Sequence, residues 1–162
     1  LGSTNRELIS VATRYAQARL SPPSVGQWMA TAALTLQDDY YESLLAEFQK
    51  RRDIVMEEFA SMTGVRCETP RGAFYAMPTL PVEDAEDFAV WMLNEFQEGG
   101  ETVLIAPGNG FYATPGAGQR EGRVAYVFEE ESLRRALRVL AAGLTEYPRR
   151  IREQRLKGLG AL

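Results

Sequence analysis

Arg123 opens the run Arg123-Val124-Ala125-Tyr126-Val127-Phe128, whose residue types are those of a strand. Side chains alternate faces along a strand, so Arg123 shares a face with Ala125 and Val127. On an apolar face a guanidinium needs an anion, because an uncompensated buried charge costs on the order of 3–5 kcal/mol. Three arrangements are open. The anion is a bound carboxylate gripped by the planar fork, it is a carboxylate of the chain itself, or the side chain simply escapes at the strand end.

Upstream of that strand, the loop from Pro107 to Gly118 holds four glycines and two aromatics. Such a loop can close over a ligand, with glycine permitting close backbone approach, or can be a plain connection. Its glycine spacing does not fit a phosphate loop leading into a helix.

The absences exclude more chemistry than the motifs suggest. The chain has no histidine, which removes the usual base near neutral pH, the usual metal ligand and every Ser–His or Cys–His relay. No metal site is expected, and the acidic group Glu83, Asp84, Glu86 and Asp87 reads as a solvated helix start. Lysine occurs only at Lys50 and Lys157, beside sixteen arginines. Lys50 falls on a charged helix face and Lys157 in a basic tail, so neither suits Schiff-base chemistry. The single cysteine, Cys67, cannot form an internal disulfide and fits a reducing, cytoplasmic compartment.

At 162 residues, 45% hydrophobic and 25% charged, the chain has a globular composition. No apolar run approaches the roughly 18 residues that span a bilayer, so no membrane partner is expected. The net charge is −4. Residues 148–162 carry five cations against one anion, leaving 13 cations and 21 anions in the body. An acidic body argues against a nucleic-acid partner.

Thr4 to Glu7 reads as a capping box, and apolar spacing then predicts a helix to about Arg19. Ser21-Pro22-Pro23-Ser24 breaks the chain before a second helix through Trp28 to about Leu36. A long helix over about Asp39 to Met62 stops at Gly64. Short strands are expected over Val65–Glu68, Ala73–Met77, Thr102–Ala106 and Arg123–Phe128. Helices are expected over Asp84–Phe96 and Glu129–Leu144, the second ended by Pro148. The fold class is therefore α/β in the broad sense, an α+β fragment with a helical lead-in and a short sheet packed by helices. Residues 1–62 form the linking helices, 63–147 the small domain, and 148–162 a basic tail. The lead-in helices carry broad apolar faces with little before them to pack against, so the chain reads as the later part of a longer protein.

In order and spacing these segments resemble the C-terminal portion of fold-type-I, pyridoxal-phosphate-dependent aminotransferases of class I/II, the aspartate aminotransferase family. The resemblance runs from Leu1 to about Tyr147. It is carried by Leu1-Gly2, Glu7-Leu8-Ile9 through Ser21-Pro22-Pro23, and Pro70-Arg71-Gly72-Ala73-Phe74-Tyr75. Ala106-Pro107-Gly108 with Gly110-Phe111-Tyr112, and Arg123-Val124-Ala125-Tyr126, complete it. It implies that Arg123 binds the α-carboxylate of an amino-acid or 2-oxo-acid substrate and that Gly110, Phe111 and Tyr112 face the cofactor cleft. It also implies a homodimer when intact, with the Schiff-base lysine and the other cofactor-binding groups in a large domain that precedes Leu1. No catalytic or cofactor-binding residue is then expected in this chain, which alone should be inactive. The alternatives are another fold-type-I enzyme (decarboxylase, lyase or synthase), an aminotransferase-like effector domain, or a non-enzymatic binding or dimerisation module.

Overall fold

The computed structural model describes the backbone of residues 2–159 and the side chains of residues 2–149 and Ile151. Helix α1 (Arg6–Arg19) starts at Asn5, whose side chain accepts from the amides of Glu7 and Leu8 at 3.0 and 3.2 Å. The cap expected on Thr4 is thus one residue later, in keeping with the stronger preference of asparagine for that position. Leu20 and Ser21 turn the chain through positive φ values of 63° and 33°. Pro22-Pro23 then leads into α2 (Ser24–Ala33), and neither helix buries a residue. Within this part, the Tyr41 hydroxyl donates to the Ala33 carbonyl at 2.6 Å.

Helix α3 (Asp38–Ser61) has 24 residues and is ~36 Å long at 1.5 Å per residue. Past its end, Gly64 sits at φ +81°, and the Val65 amide donates to the Met62 carbonyl at 3.2 Å. The chain forms two compact units, Leu1–Ser43 and Leu44–Leu162. The boundary between these units falls inside α3. The physical reason is burial: Ile54, Val55 and Phe59 of α3 are core residues of the second unit.

The second unit holds a three-stranded antiparallel sheet of β1 (Tyr75–Ala76), β2 (Ala106–Pro107) and β3 (Gly122–Ala125), ordered β1-β3-β2. Tyr75 pairs with Ala125 and Ala76 with Val124 on one side of β3. Ala106 pairs with Arg123 and Pro107 with Gly122 on the other. Helix α4 (Ala85–Asn94) precedes β2, and α5 (Glu130–Leu159) follows β3. Phe88 and Met92 from α4, Leu133, Leu137 and Leu140 from α5, and Val55 and Phe59 from α3 meet Tyr126 in one apolar cluster.

Four expectations need correction. The 65–68 segment is tied to its neighbour by the Arg66–Thr79 bridge, not by a continuous strand. Thr102–Ala106 is not a buried strand: Ile105 is buried, but Leu104 is 72% exposed, and only Ala106 joins the sheet. Pro148 does not end the last helix, which continues to Leu159. Tyr147 explains this, since it is buried with its ring 5.2 Å from both Phe88 and Trp91, and Ile151 packs on the same core. Apolar anchoring on both sides of the proline offsets the one helical bond it removes. Lastly, Arg123 does not lie on the core face. Val124 packs against the core and its partner Ala76 is buried, so Arg123 and Ala125 project from the opposite face. Of the predicted tail, the side chains of Arg150, Arg152, Arg155 and Lys157 lie outside the described residues.

The packing sets two measurable losses. Phe88 is fully buried, and Phe88→Ala should lower unfolding stability by about 3–5 kcal/mol in a denaturant titration. Asp84 caps α4 by accepting from the amides of Glu86 and Asp87 at 2.7 and 3.3 Å. Partial burial pushes its carboxyl up, but the Gln119 amide and these two backbone donors outweigh it and hold it below the ordinary range. Asp84→Ala should cost about 1 kcal/mol at neutral pH. That difference should shrink as pH falls below about 4 and passes through the lowered folded value, since the carboxylate form makes the cap.

Candidate functional site

β3 is the central strand, and its two registers decide what surrounds Arg123. Because Tyr75 pairs with Ala125, Arg123 lies two residues along on the same face, the diagonal position long side chains can reach. On the other side Arg123 pairs with Ala106. From there β2 runs into a single 3₁₀ turn, Gly108–Phe111, which brings Phe111 back toward β3. The Arg123 guanidinium carbon lies 4.7 Å from the Tyr75 ring centroid and 4.8 Å from that of Phe111. A cation between two rings gains about 0.5–1 kcal/mol per ring when exposed and ~2 when desolvated.

Most other arginines of this unit with described contacts spend their donors inside the chain. Arg51 donates to the Val127 carbonyl at 2.6 Å and to Glu47 at 2.8 Å. Arg120 donates to the carbonyls of Val82 and Leu80, and Arg134 pairs with Glu57, Glu58 and Glu130. Among the described residues no ion pair involves Arg123. Both ring contacts are made at the guanidinium carbon and use none of its N–H donors, of which a carboxylate can accept two side by side.

The loop that carries Phe111 is clasped at its base. The Gly108 amide donates to the Glu121 carbonyl at 2.7 Å, and the Glu121 amide donates to the Gly118 carbonyl at 2.9 Å. The Tyr112 hydroxyl donates to the Glu121 carboxylate, and that hydrogen bond is the main reason the phenol is pushed above its usual range. Gly118 sits at φ +71°, and a Cβ there would lie 2.5 Å from the Tyr112 ring and 2.7 Å from the Gly108 carbonyl oxygen. Asn109 ties the turn to α4 by donating to Glu86 at 2.9 Å, and the Ala85 amide donates to the Gln119 carbonyl at 2.8 Å.

Of the three candidate cleft residues, then, Phe111 meets Arg123 and Tyr112 turns away to Glu121, while a Cβ on Gly110 would meet open space. Tyr75 is the residue that sequence reasoning missed as a partner of Arg123. Only the β1–β3 register could have revealed it, because 48 positions separate the two. An apolar cavity of about 730 Å³ lies between the 101–105 segment, β3 and α5, and Arg123 does not line it.

The described residues do not fit a covalently held cofactor. Lys50 lies 2.8 Å from Glu130, and the hydrogen bond to that carboxylate raises its pKa. A Schiff-base amine needs the opposite shift. Lys157 lies outside the described side chains. Among the described residues no group of His, Cys, Asp and Glu is arranged to hold a metal, and no helix is long and apolar enough to cross a membrane.

The family model described as aminotransferase class I and II matches residues 1–140. An aspartate aminotransferase of Rhizobium meliloti is 29% identical over 150 residues, covering 85% of this chain and 34% of that protein. An aspartate/prephenate aminotransferase of Thermus thermophilus is 31% identical over 132 residues, covering 79% and 31%. Among solved structures, the aspartate aminotransferase of Rhizobium meliloti gives a TM-score of 0.59 at 28% identity, covering 86% of this chain and 36% of that one. That of Thermus thermophilus with maleate gives 0.59 at 28%, covering 82% and 33%. The chain thus spans about a third of the length of the relatives it matches.

The clasp yields a test of its own. Gly118→Ala forces a side chain into positive φ and against the Tyr112 ring, and should cost about 1–3 kcal/mol of stability. Amide exchange at Gly108 and Glu121 should quicken, because their hydrogen bonds close the loop. Exchange at wild-type rates would mean the ring does not pack where it is placed.

Proposed function

This chain belongs to the class I and II aminotransferases, and from that membership we propose that the intact protein is a pyridoxal-phosphate-dependent transaminase. It moves an amino group between an amino acid and a 2-oxo acid. This chain supplies the grip on the substrate carboxylate, through Arg123. The reading is supported above all by one observation: Arg123 is held between two rings with no carboxylate of the chain paired to it among the described residues. Its Thermus relative in the solved state with maleate adds that a protein of this shape takes up a small carboxylate.

In this reading the cofactor, its lysine and the other catalytic groups lie in sequence outside this chain, in a large domain, and no step of the chemistry is routed through the residues described here. Arg123 binds and orients. Its charge meets the substrate carboxylate, and its in-plane donors fix the carboxylate's plane, so the rest of the substrate is aimed in one direction. The protein acts as a homodimer in the cytoplasm. The lone Cys67 and the exposed apolar side chains of α1 and α2, Trp28 and Met29 among them, support that part.

In the full-length enzyme, Arg123→Ala should raise KM for the amino acid, and Kd for a dicarboxylate such as maleate, by about 100-fold, or ~2.7 kcal/mol. Arg123→Lys should recover only part of this, because an ammonium cannot make the two-pronged contact. Unchanged affinity in Arg123→Ala would remove Arg123 from the site.

A further inference from the structure

We propose that Tyr75 and Phe111 are positioning residues: together they clamp the Arg123 guanidinium in one plane and leave only its edge for the substrate carboxylate. The proposal rests on the reading of Arg123 as the carboxylate grip and deepens it.

An arginine side chain has four rotatable bonds before its planar head, and freezing them is entropically unfavourable. Most arginines of known contact in this unit are fixed by carboxylates or carbonyls that take up their donors. Arg123 instead lies against two aromatic rings. Rings at 4.7 and 4.8 Å hold the head without using an N–H, so the ordering is complete before a ligand arrives. Pre-ordering of this kind strengthens binding because the ligand no longer has to immobilise the group itself.

Both rings are anchored from behind. The Tyr75 ring is tilted against that of Phe74 at 4.5 Å between centroids, and Phe74 lies 6.0 Å from Phe48. Phe111 is 51% exposed. Its place is set by the 3₁₀ turn and by the Tyr112–Glu121 and Gly108–Glu121 hydrogen bonds at the base of the loop. A leucine at either position would keep most of the apolar bulk but lose the negative ring face that attracts the cation.

The test uses the full-length holoenzyme and maleate as the probe, with steady-state kinetics alongside. Phe111→Leu and Tyr75→Leu should each weaken maleate binding and raise KM five- to twentyfold, with kcat at saturation within about twofold. Phe111→Tyr and Tyr75→Phe, which keep the ring, should stay within twofold of wild type. In an Arg123→Ala background, Phe111→Leu should add no further loss, because the ring acts only through the guanidinium. If both leucine variants bind maleate as wild type does while Arg123→Ala binds weakly, the clamp is refuted and the role of Arg123 stands. An undiminished loss from Phe111→Leu without Arg123 would also refute it, since the ring would then act directly. If Arg123→Ala itself is without effect, the reading beneath the proposal falls first.

Discussion

The register of a four-residue strand decides the rest. β3 has a neighbour on each side, and antiparallel pairing fixes both alignments. One alignment sets Tyr75 diagonal to Arg123, and the other launches the turn that returns Phe111. Because side chains alternate with period two, a slip of one residue in either pairing would swap the faces and carry Arg123 into the core. The register is secured from the other face, where Ala76 is buried, Val124 packs on the core, and the Tyr126 amide donates to the Phe74 carbonyl at 3.0 Å. Core packing on one side of the sheet therefore holds the cation in place on the other.

That division of labour bears on the electrostatics. A guanidinium in the core would have required an internal carboxylate, and the pair would have been spent on itself. On the outer face, between rings, the charge keeps enough solvent to remain stable and still has its donors at its edge. The acidic body supplies many carboxylates, and several of them have other work. Asp84 caps α4, Glu121 accepts from Tyr112, and Glu57, Glu58 and Glu130 pair with Arg134 across α3 and α5. The last three neutralise a helix-to-helix contact and leave Arg123 untouched.

Where local signals were strong, the reading of the sequence held. Pro22-Pro23 does separate α1 from α2, Gly64 does follow the stop of α3, and Asp84 does begin α4. It failed where distant packing overrides a local rule. Pro148 is a helix breaker by itself, but Tyr147 and Ile151 hold the helix to the core on either side. Thr102–Ala106 looks like a buried strand by composition, but only alternate residues find cover, which leaves Leu104 outside. At the candidate site, Arg123 and the Gly110-Phe111-Tyr112 loop could be singled out by type. Their mutual placement could not.

From residue types alone follow the lack of histidine chemistry, the absence of a suitable amine at Lys50, and the family likeness carried by the order of short motifs. Those depend on what is present and how it is spaced along the chain. Which face of β3 Arg123 takes, that Tyr75 stands over it from 48 positions away, and that Tyr112 turns from it toward Glu121 were decided by the tertiary structure. Each depends on strand pairing and core burial between segments far apart in the chain, and no local preference encodes a register.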